Sequence, residues 1–318
     1  MNSTATINLA PIALFVFKRP DHTRKMLASL AANPEFTHSP LYIYCDGARS
    51  ESDLADVELT RKIVNGWNHP NKKIIMQEKN RGLANSVIAG VSELTEQYGQ
   101  VIVVEDDLVV STHFLSYLNS ALQKYKSSQQ VMQISAYMFP VPEFADKKEA
   151  IFLPFISSWG WATWDRAWKD FDAKATNWKL LLKNKEARVR FDLDGCYDYS
   201  GMLLRQMCGE IDSWAIRWNW SVFRNNGLVL YPPISFVKNI GFDGSGTHCR
   251  RNEFHNNDIC VFLGHLSYPE KIEISNPEFE LIKKVIQNSS GSFTVRLLKN
   301  IHSNIKRIIM NMSNRADG

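Results

Sequence analysis

Along the first 137 positions, short unbroken apolar runs alternate with longer stretches in which apolar residues return every three or four positions. The first rhythm is that of strands buried on both faces, the second that of amphipathic helices. Residues 12–17 read as a strand. The turn Lys18-Arg19-Pro20-Asp21 then leads into a helix with Met26, Leu27 and Leu30 on one face. Strands follow at 41–44, ending at Asp46-Gly47, and at 74–76, with a helix over 55–64 between them. Asn80 to Asn85 opens a further helix carrying Val87, Ile88 and Val91, and this leads to a strand at 101–104. A helix over 114–125 and a strand over 131–135 complete the series. Alternation of this kind predicts an α/β fold with a mainly parallel central sheet flanked by helices.

After Tyr137 the texture changes, because eight of the nine tryptophans fall between Trp159 and Trp220. Any one of these tryptophans can be core packing, but the clustered segment Ser157-Ser158-Trp159-Gly160-Trp161-Ala162-Thr163-Trp164 is expected to form an aromatic platform, since an indole offers a sugar an apolar face and a polar N–H. Composition narrows the class. A chain of 318 residues with 44% hydrophobic and 22% charged content fits a globular protein of one large domain or two modest ones. Its five cysteines, Cys45, Cys196, Cys208, Cys249 and Cys260, are odd in number and form no CxxC pair, which argues against a disulfide framework and a structural zinc site. The expected setting is a reduced cytoplasm. The apolar run 7–17 has no basic segment before it and is too short to span a bilayer, so it reads as a strand and not as a signal.

Charge is uneven. Seven Lys/Arg and one acid lie from Lys283 onward, in a chain whose net charge is +4, so the body is nearly neutral and nucleic acid is not an expected partner. The densest chemistry lies at the end of the fourth strand. There Val101-Ile102-Val103-Val104 runs directly into Glu105-Asp106-Asp107. Three adjacent carboxylates raise one another's pKa unless a cation sits among them. Mg²⁺ or Mn²⁺ bridging a diphosphate fits, because such ions are held by one or two carboxylates plus phosphate oxygens. The alternative is an acidic turn capping a helix that begins near Thr112. Position favours the first reading, since ligands of open α/β sheets bind beyond the carboxyl ends of the strands.

These features together resemble the GT-A-fold nucleotide-sugar glycosyltransferases. The resemblance rests on the 12–19 turn, Asp46-Gly47, Glu105-Asp106-Asp107, Trp159-Gly160-Trp161, Asp212-Ser213-Trp214 and the 237–246 segment. It is nearest to the catalytic domain of N-acetylglucosaminyltransferase I and to bacterial enzymes of surface-polysaccharide assembly, and it covers residues 10–248, about three quarters of the chain. The resemblance implies Asp107 as metal ligand, Asp106 at the ribose and diphosphate, and Glu105 toward the donor sugar. It also implies Asp46 at the nucleoside, Arg19 at the base or diphosphate, and Asn85 in the nucleotide pocket. Asp212 is the implied general base, with capping of the next helix as its alternative. His248 is implied at the metal or diphosphate, and Trp159 and Trp161 at the acceptor.

The implied activity is metal-dependent, inverting transfer of a sugar from a nucleotide-sugar, a UDP-sugar by the resemblance, to a hydroxyl of a glycan acceptor. A sugar-phosphate nucleotidyltransferase would want a glycine-rich loop after the first strand, which Lys18-Arg19-Pro20-Asp21 does not supply. A carbohydrate-binding protein would leave the buried-strand acids without a purpose. The expected division is a catalytic domain over 1–266, with halves meeting near 136, and a C-terminal extension over 267–318. In the extension, Leu297, Leu298, Ile301, Ile305, Ile308 and Ile309 recur at helical spacing among the basic residues Arg296, Lys299, Lys306 and Arg307. Such a helix is expected to lie on the inner face of the cytoplasmic membrane, beside a lipid-linked acceptor, or to pack on protein.

Overall fold

The structure, a computed structural model, describes residues 9–243 and 266–289. The first half follows the expected alternation: β1 (Ile12–Val16), α1 (Pro20–Ala31), β2 (Leu41–Cys45), α2 (Leu54–Gly66), β3 (Lys72–Met76), α3 (Leu83–Tyr98) and β4 (Gln100–Glu105). Next come β5 (Leu108–Val110), α4 (Phe114–Lys124), β6 (Val131–Ser135), β7 (Ile151–Leu153) and β8 (Trp161–Trp164). Four short to medium helices follow, α5 (Asp165–Trp168), α6 (Leu180–Lys183), α7 (Lys185–Phe191) and α8 (Tyr199–Met207). The described part ends with α9 (Trp214–Arg224), β9 (Leu228–Tyr231), β10 (Val237–Asn239) and α10 (Asn276–Ser289).

Eight strands form one sheet in the order β3-β2-β1-β4-β8-β6-β9-β7. The expected parallel character holds for β3-β2-β1-β4 and for β6-β9, whereas β8 runs antiparallel to both β4 and β6, and β7 antiparallel to β9. The sheet is therefore mixed. The apolar run of β4 is buried on both faces, as its composition requires, but only its β1 edge is a parallel pairing. From β1 the chain proceeds to β2 and β3 on one side and returns to β4 on the other. That reversal of direction opens a crevice between the ends of β1 and β4.

Close approach sharpens the crevice. Gly90 of α3 lies so near the sheet that a Cβ there would come within 2.9 Å of the rings of Phe15 and Tyr44. Those two rings are themselves stacked at 4.9 Å. Only a residue without a side chain lets α3 press its first turns against the ends of β1 and β2.

The tryptophans mostly build core. The indole N–H groups of Trp164, Trp168, Trp218 and Trp220 donate to Leu122 O, Ser92 Oγ, Gln133 Oε1 and Thr176 O, at 3.2, 2.9, 2.7 and 3.1 Å. Buried Trp needs such an internal acceptor, and these four have one. Residues after 266 contact the preceding part of the chain. Ser267 N–H donates to Lys148 O at 2.9 Å, Tyr125 Oη donates to Pro269 O at 2.7 Å, and Ile282 and Ile286 of α10 are buried in the main core. Among the described residues no helix is long and apolar enough to cross a membrane. The basic segment 295–310 lies outside the described residues.

Candidate active site

The ends of β1, β2 and β4 enclose a cavity of about 220 Å³. Its walls include Phe17, Lys18 and Arg19 after β1, Asp46 and Arg49 after β2, and Leu83 and Ser86 of α3. Glu105, Asp106 and Asp107 form the floor, and Ser158, Trp159 and Asn239 close the far side. Register explains how the residues after β1 meet the acids. Phe15 is aligned with Glu105 across the parallel β1-β4 pair, so the residues after each strand emerge side by side.

A cation does sit on the acids, and it is Arg19. Its Nη1 lies 2.9 Å from Asp107 Oδ2 and 3.6 Å from Asp106 Oδ1. The other oxygen of Asp106 accepts the Phe17 N–H at 2.9 Å. Even so, burial, and after it the Asp107 charge, pushes the Asp106 carboxyl up to about 7. Burial followed by the charges of Asp107 and Asp106 holds Glu105 well above the usual carboxylate range.

Asp107 is confined from behind. Its backbone carbonyl accepts the Ile240 N–H at 2.8 Å, and a Cβ on Gly241 would lie 2.6 Å from its Oδ2. This contact is created by the short antiparallel ribbon of β5 and β10, which pairs Leu108 with Asn239. Sequence reading expected no strand directly after the acids, because three residues are too few for a period to show. The capping alternative for the acidic triplet does not hold, since β5 intervenes before α4 begins at Phe114.

Other expected residues divide into those the cavity gathers and those it does not. Asp46 lines the cavity, but its carboxylate is also a clamp. One oxygen accepts the Gly47 and Arg81 N–H groups at 2.9 and 2.8 Å, and the other accepts the Gly82 N–H at 3.0 Å. Trp159 lines the far wall with its ring 4.6 Å from Tyr137 and 5.7 Å from Phe242. Trp161 is corrected from acceptor contact to core. It is fully buried in β8, between two strands, and stacks on Trp214 at 5.0 Å.

Asn85 is exposed and points away from the cavity, with its amide donating to Arg81 O at 2.9 Å. Helical geometry is the reason. Leu83 and Ser86, three apart, share the face toward the cavity, and Asn85 falls on another. Asp212 lies outside the cavity, 56% exposed in the turn before α9, and its Oδ1 accepts from Arg217 Nη2 at 2.8 Å. The capping role belongs to its neighbour, because Ser213 Oγ accepts the Ile216 N–H. Trp214, two residues after Asp212, stacks on Trp161, which pairs with Val103 of β4. His248 lies outside the described residues.

Several cavity residues went unassigned in the sequence. Lys18 is ion-paired with Asp53 at 2.6 Å, and the Arg49 guanidinium lies 5.2 Å from the centre of the Phe17 ring. With Arg19 they make three cations that line the cavity. Their proximity to the first strand's end was legible only for Lys18 and Arg19.

A divalent cation is compatible with this donor set. Among the described residues no cluster of three or more His, Cys, Asp and Glu side chains could hold one alone. Asp107 and Asp106 supply the one or two hard oxygen ligands that Mg²⁺ or Mn²⁺ combines with phosphate oxygens.

Neither a protein-family model nor a curated protein sequence matches the chain. Three solved structures are similar to it. GalNAc-T7 with UDP, GalNAc and Mn²⁺ is 11% identical, with a TM-score of 0.45, over 80% of this chain and 46% of that one. The mannosyltransferase PcManGT from Pyrobaculum calidifontis, in complex with GDP-Man and Mn²⁺, is 12% identical, with a TM-score of 0.34, over 48% of this chain and 44% of that one. Residues 1–349 of S. aureus TarS are 12% identical, with a TM-score of 0.41, over 72% of this chain and 59% of that one. The chain thus spans about half the length of these structures, and none of the three is N-acetylglucosaminyltransferase I.

Two expectations follow from the acids. Because the folded Asp106 pKa is about 7 and an unfolded one is about 3.9, the folded chain holds a proton between those values that the unfolded chain has released. This group's contribution to stability therefore falls as pH rises from about 4 to about 7, and is constant outside that window. Thermal midpoints measured in chelator from pH 5 to 8 should decline more steeply for wild type than for Asp106→Asn, and parallel curves would refute the assignment.

Gly241→Ala should displace the Asp107 carboxylate without unfolding the protein. We expect metal-dependent nucleotide binding to weaken at least about tenfold, the lower range for residues that support a metal ligand. Calorimetric titration with UDP and Mn²⁺, alongside a melting curve, measures both. Unchanged affinity would show that Asp107 does not need its present position.

Proposed function

We propose that this protein is a metal-dependent glycosyltransferase. It moves a sugar from a nucleotide-sugar, a UDP-sugar by the resemblance, to a hydroxyl of a glycan acceptor, with inversion at the anomeric carbon. The observation that carries this reading is one cavity in which Glu105, Asp106 and Asp107 end a buried strand while Lys18, Arg19 and Arg49 line the adjoining wall. Acids that take a divalent cation, beside cations that take a diphosphate, suit a nucleoside diphosphate as both bound group and leaving group.

Asp107 and Asp106 would hold the ion. When bound, Mn²⁺ or Mg²⁺ supplies Lewis-acid stabilisation of charge on the departing diphosphate, worth several kcal/mol. The protein's own groups do the rest. Arg19 orients phosphate oxygens through its planar fork. The Asp46 clamp fixes the loop that bounds the nucleoside side, and Trp159 offers an aromatic face to sugar. Asp212 takes the proton of the acceptor hydroxyl, and such general-base help contributes about 10²–10⁴ in rate. The acceptor is a glycan carried on lipid in bacterial surface-polysaccharide synthesis, a reading supported by the basic apolar periodicity of 295–310.

Product analysis tests the reading. The full-length protein with UDP-sugars, Mn²⁺ and oligosaccharide acceptors should release UDP and give a glycoside of inverted configuration. Asp107→Ala should lose metal-dependent donor binding with an unchanged melting temperature. Asp212→Asn should bind donor and acceptor but turn over at least about 10²-fold more slowly. Consumption of a nucleoside triphosphate with a sugar phosphate would favour the nucleotidyltransferase instead, and glycan binding without turnover a carbohydrate-binding protein. Full-length protein should sediment with anionic liposomes at low salt, whereas a chain ending at Ser290 should not. Equal sedimentation would remove the support for a lipid-linked acceptor.

A further inference from the structure

Arg19 holds its place on the acids through its side chain alone. Its backbone is fixed, because Pro20 at the first position of α1 restricts the residue before it to extended conformations. The Arg19 carbonyl also accepts the Thr23 N–H at 2.9 Å. The carboxylates are fixed too. Asp106 is held by the Phe17 N–H at 2.9 Å, and Asp107 is backed by Gly241, which leaves 2.6 Å for a Cβ. The long arginine side chain is therefore the member of this group that can change place without moving backbone.

The three cavity cations are not equivalent. Lys18 is committed to Asp53 at 2.6 Å, and the Arg49 guanidinium lies over the Phe17 ring at 5.2 Å. Arg19 is the one seated on Asp107, at 2.9 Å. A guanidinium on Asp107 Oδ2 would compete with a divalent ion for that oxygen, because two cations so close together in a partly buried site repel each other.

We propose that Arg19 is a displaceable counterion: it neutralises Asp107 and Asp106 until the divalent cation arrives, then yields that place and turns its fork to the diphosphate of the donor. This inference rests on the reading of Asp107 as a metal ligand. It makes metal and nucleotide binding mutually dependent, because the ion must evict Arg19 and the diphosphate gives the evicted group a new partner. By linkage the coupling is reciprocal. The free protein then discriminates against the metal alone and takes metal and nucleotide together.

Mn²⁺ titrations followed by electron paramagnetic resonance, on full-length wild type, Arg19→Gln and Arg19→Met, test this with and without UDP. Without UDP, both variants should bind Mn²⁺ at least about tenfold more tightly than wild type, within the usual range of coupling between sites. Adding UDP should tighten Mn²⁺ binding far more in wild type than in either variant. Variants that bind Mn²⁺ no more tightly than wild type overturn the proposal while leaving the metal reading intact. If wild type binds no Mn²⁺ even with UDP, the metal reading fails and this inference with it. A crystal structure of wild type with Mn²⁺ and UDP needs no variant. The guanidinium should stand more than about 4 Å from Asp107, beyond ion-pair reach, and a guanidinium still on Asp107 beside the bound ion refutes the exchange.

Discussion

Carboxylates packed side by side at the end of a buried strand repel one another, and burial removes the water that would screen them. Glu105, Asp106 and Asp107 are in that position, and much of the surrounding architecture answers to it. The turn after β1 supplies the Phe17 N–H and the Arg19 guanidinium, and it can do so because β1 is the parallel neighbour of β4. Even with both partners in place, Asp106 is still pushed up to about 7. One monovalent cation is not enough to settle three acids. Protonation of Asp106 relieves part of that repulsion.

Confinement matters as much as charge. Left to themselves, repelling side chains would rotate apart, but Asp107 rests against the backbone of Gly241 and Asp106 is tied to Phe17. The β5-β10 ribbon is the device that brings Gly241 to that position. The ribbon joins segments far apart in the chain, so the position of Asp107 depends on a long-range contact. The two carboxylates held this way are pre-organised, so any rearrangement on ligand binding falls to the groups around them.

Local periodicity made the first half of the fold readable. Leu41-Tyr42-Ile43-Tyr44, the helix carrying Met26, Leu27 and Leu30, and the run into Glu105 all appear as elements close to the expected bounds. Pairing was not readable. Nothing in Trp161-Ala162-Thr163-Trp164 announces that it inserts antiparallel between β4 and β6, and that insertion is what turns Trp161 from a surface platform into core. The same limit explains Gly241, whose role depends on a contact with Asp107 across the fold. Asn85 was named in place of its neighbour Ser86, which lines the cavity, for a different reason. It is one residue from Ser86, and on a helix one residue is a turn of about 100°.

The layout of charge around the cavity carries the final step. Strand order β2-β1-β4 places the cation-bearing turns of the first two strands beside the acids of the third, with no element between them. Across the acids the wall is different, built from Ser158, Trp159 and Asn239 of the second half of the chain. A ligand matched to this space would have an anionic middle and two unlike ends. One end would face Phe17 and Arg49, the other an indole and small polar groups. The proposed nucleotide-sugar donor has that form, whereas a free sugar lacks the anionic middle.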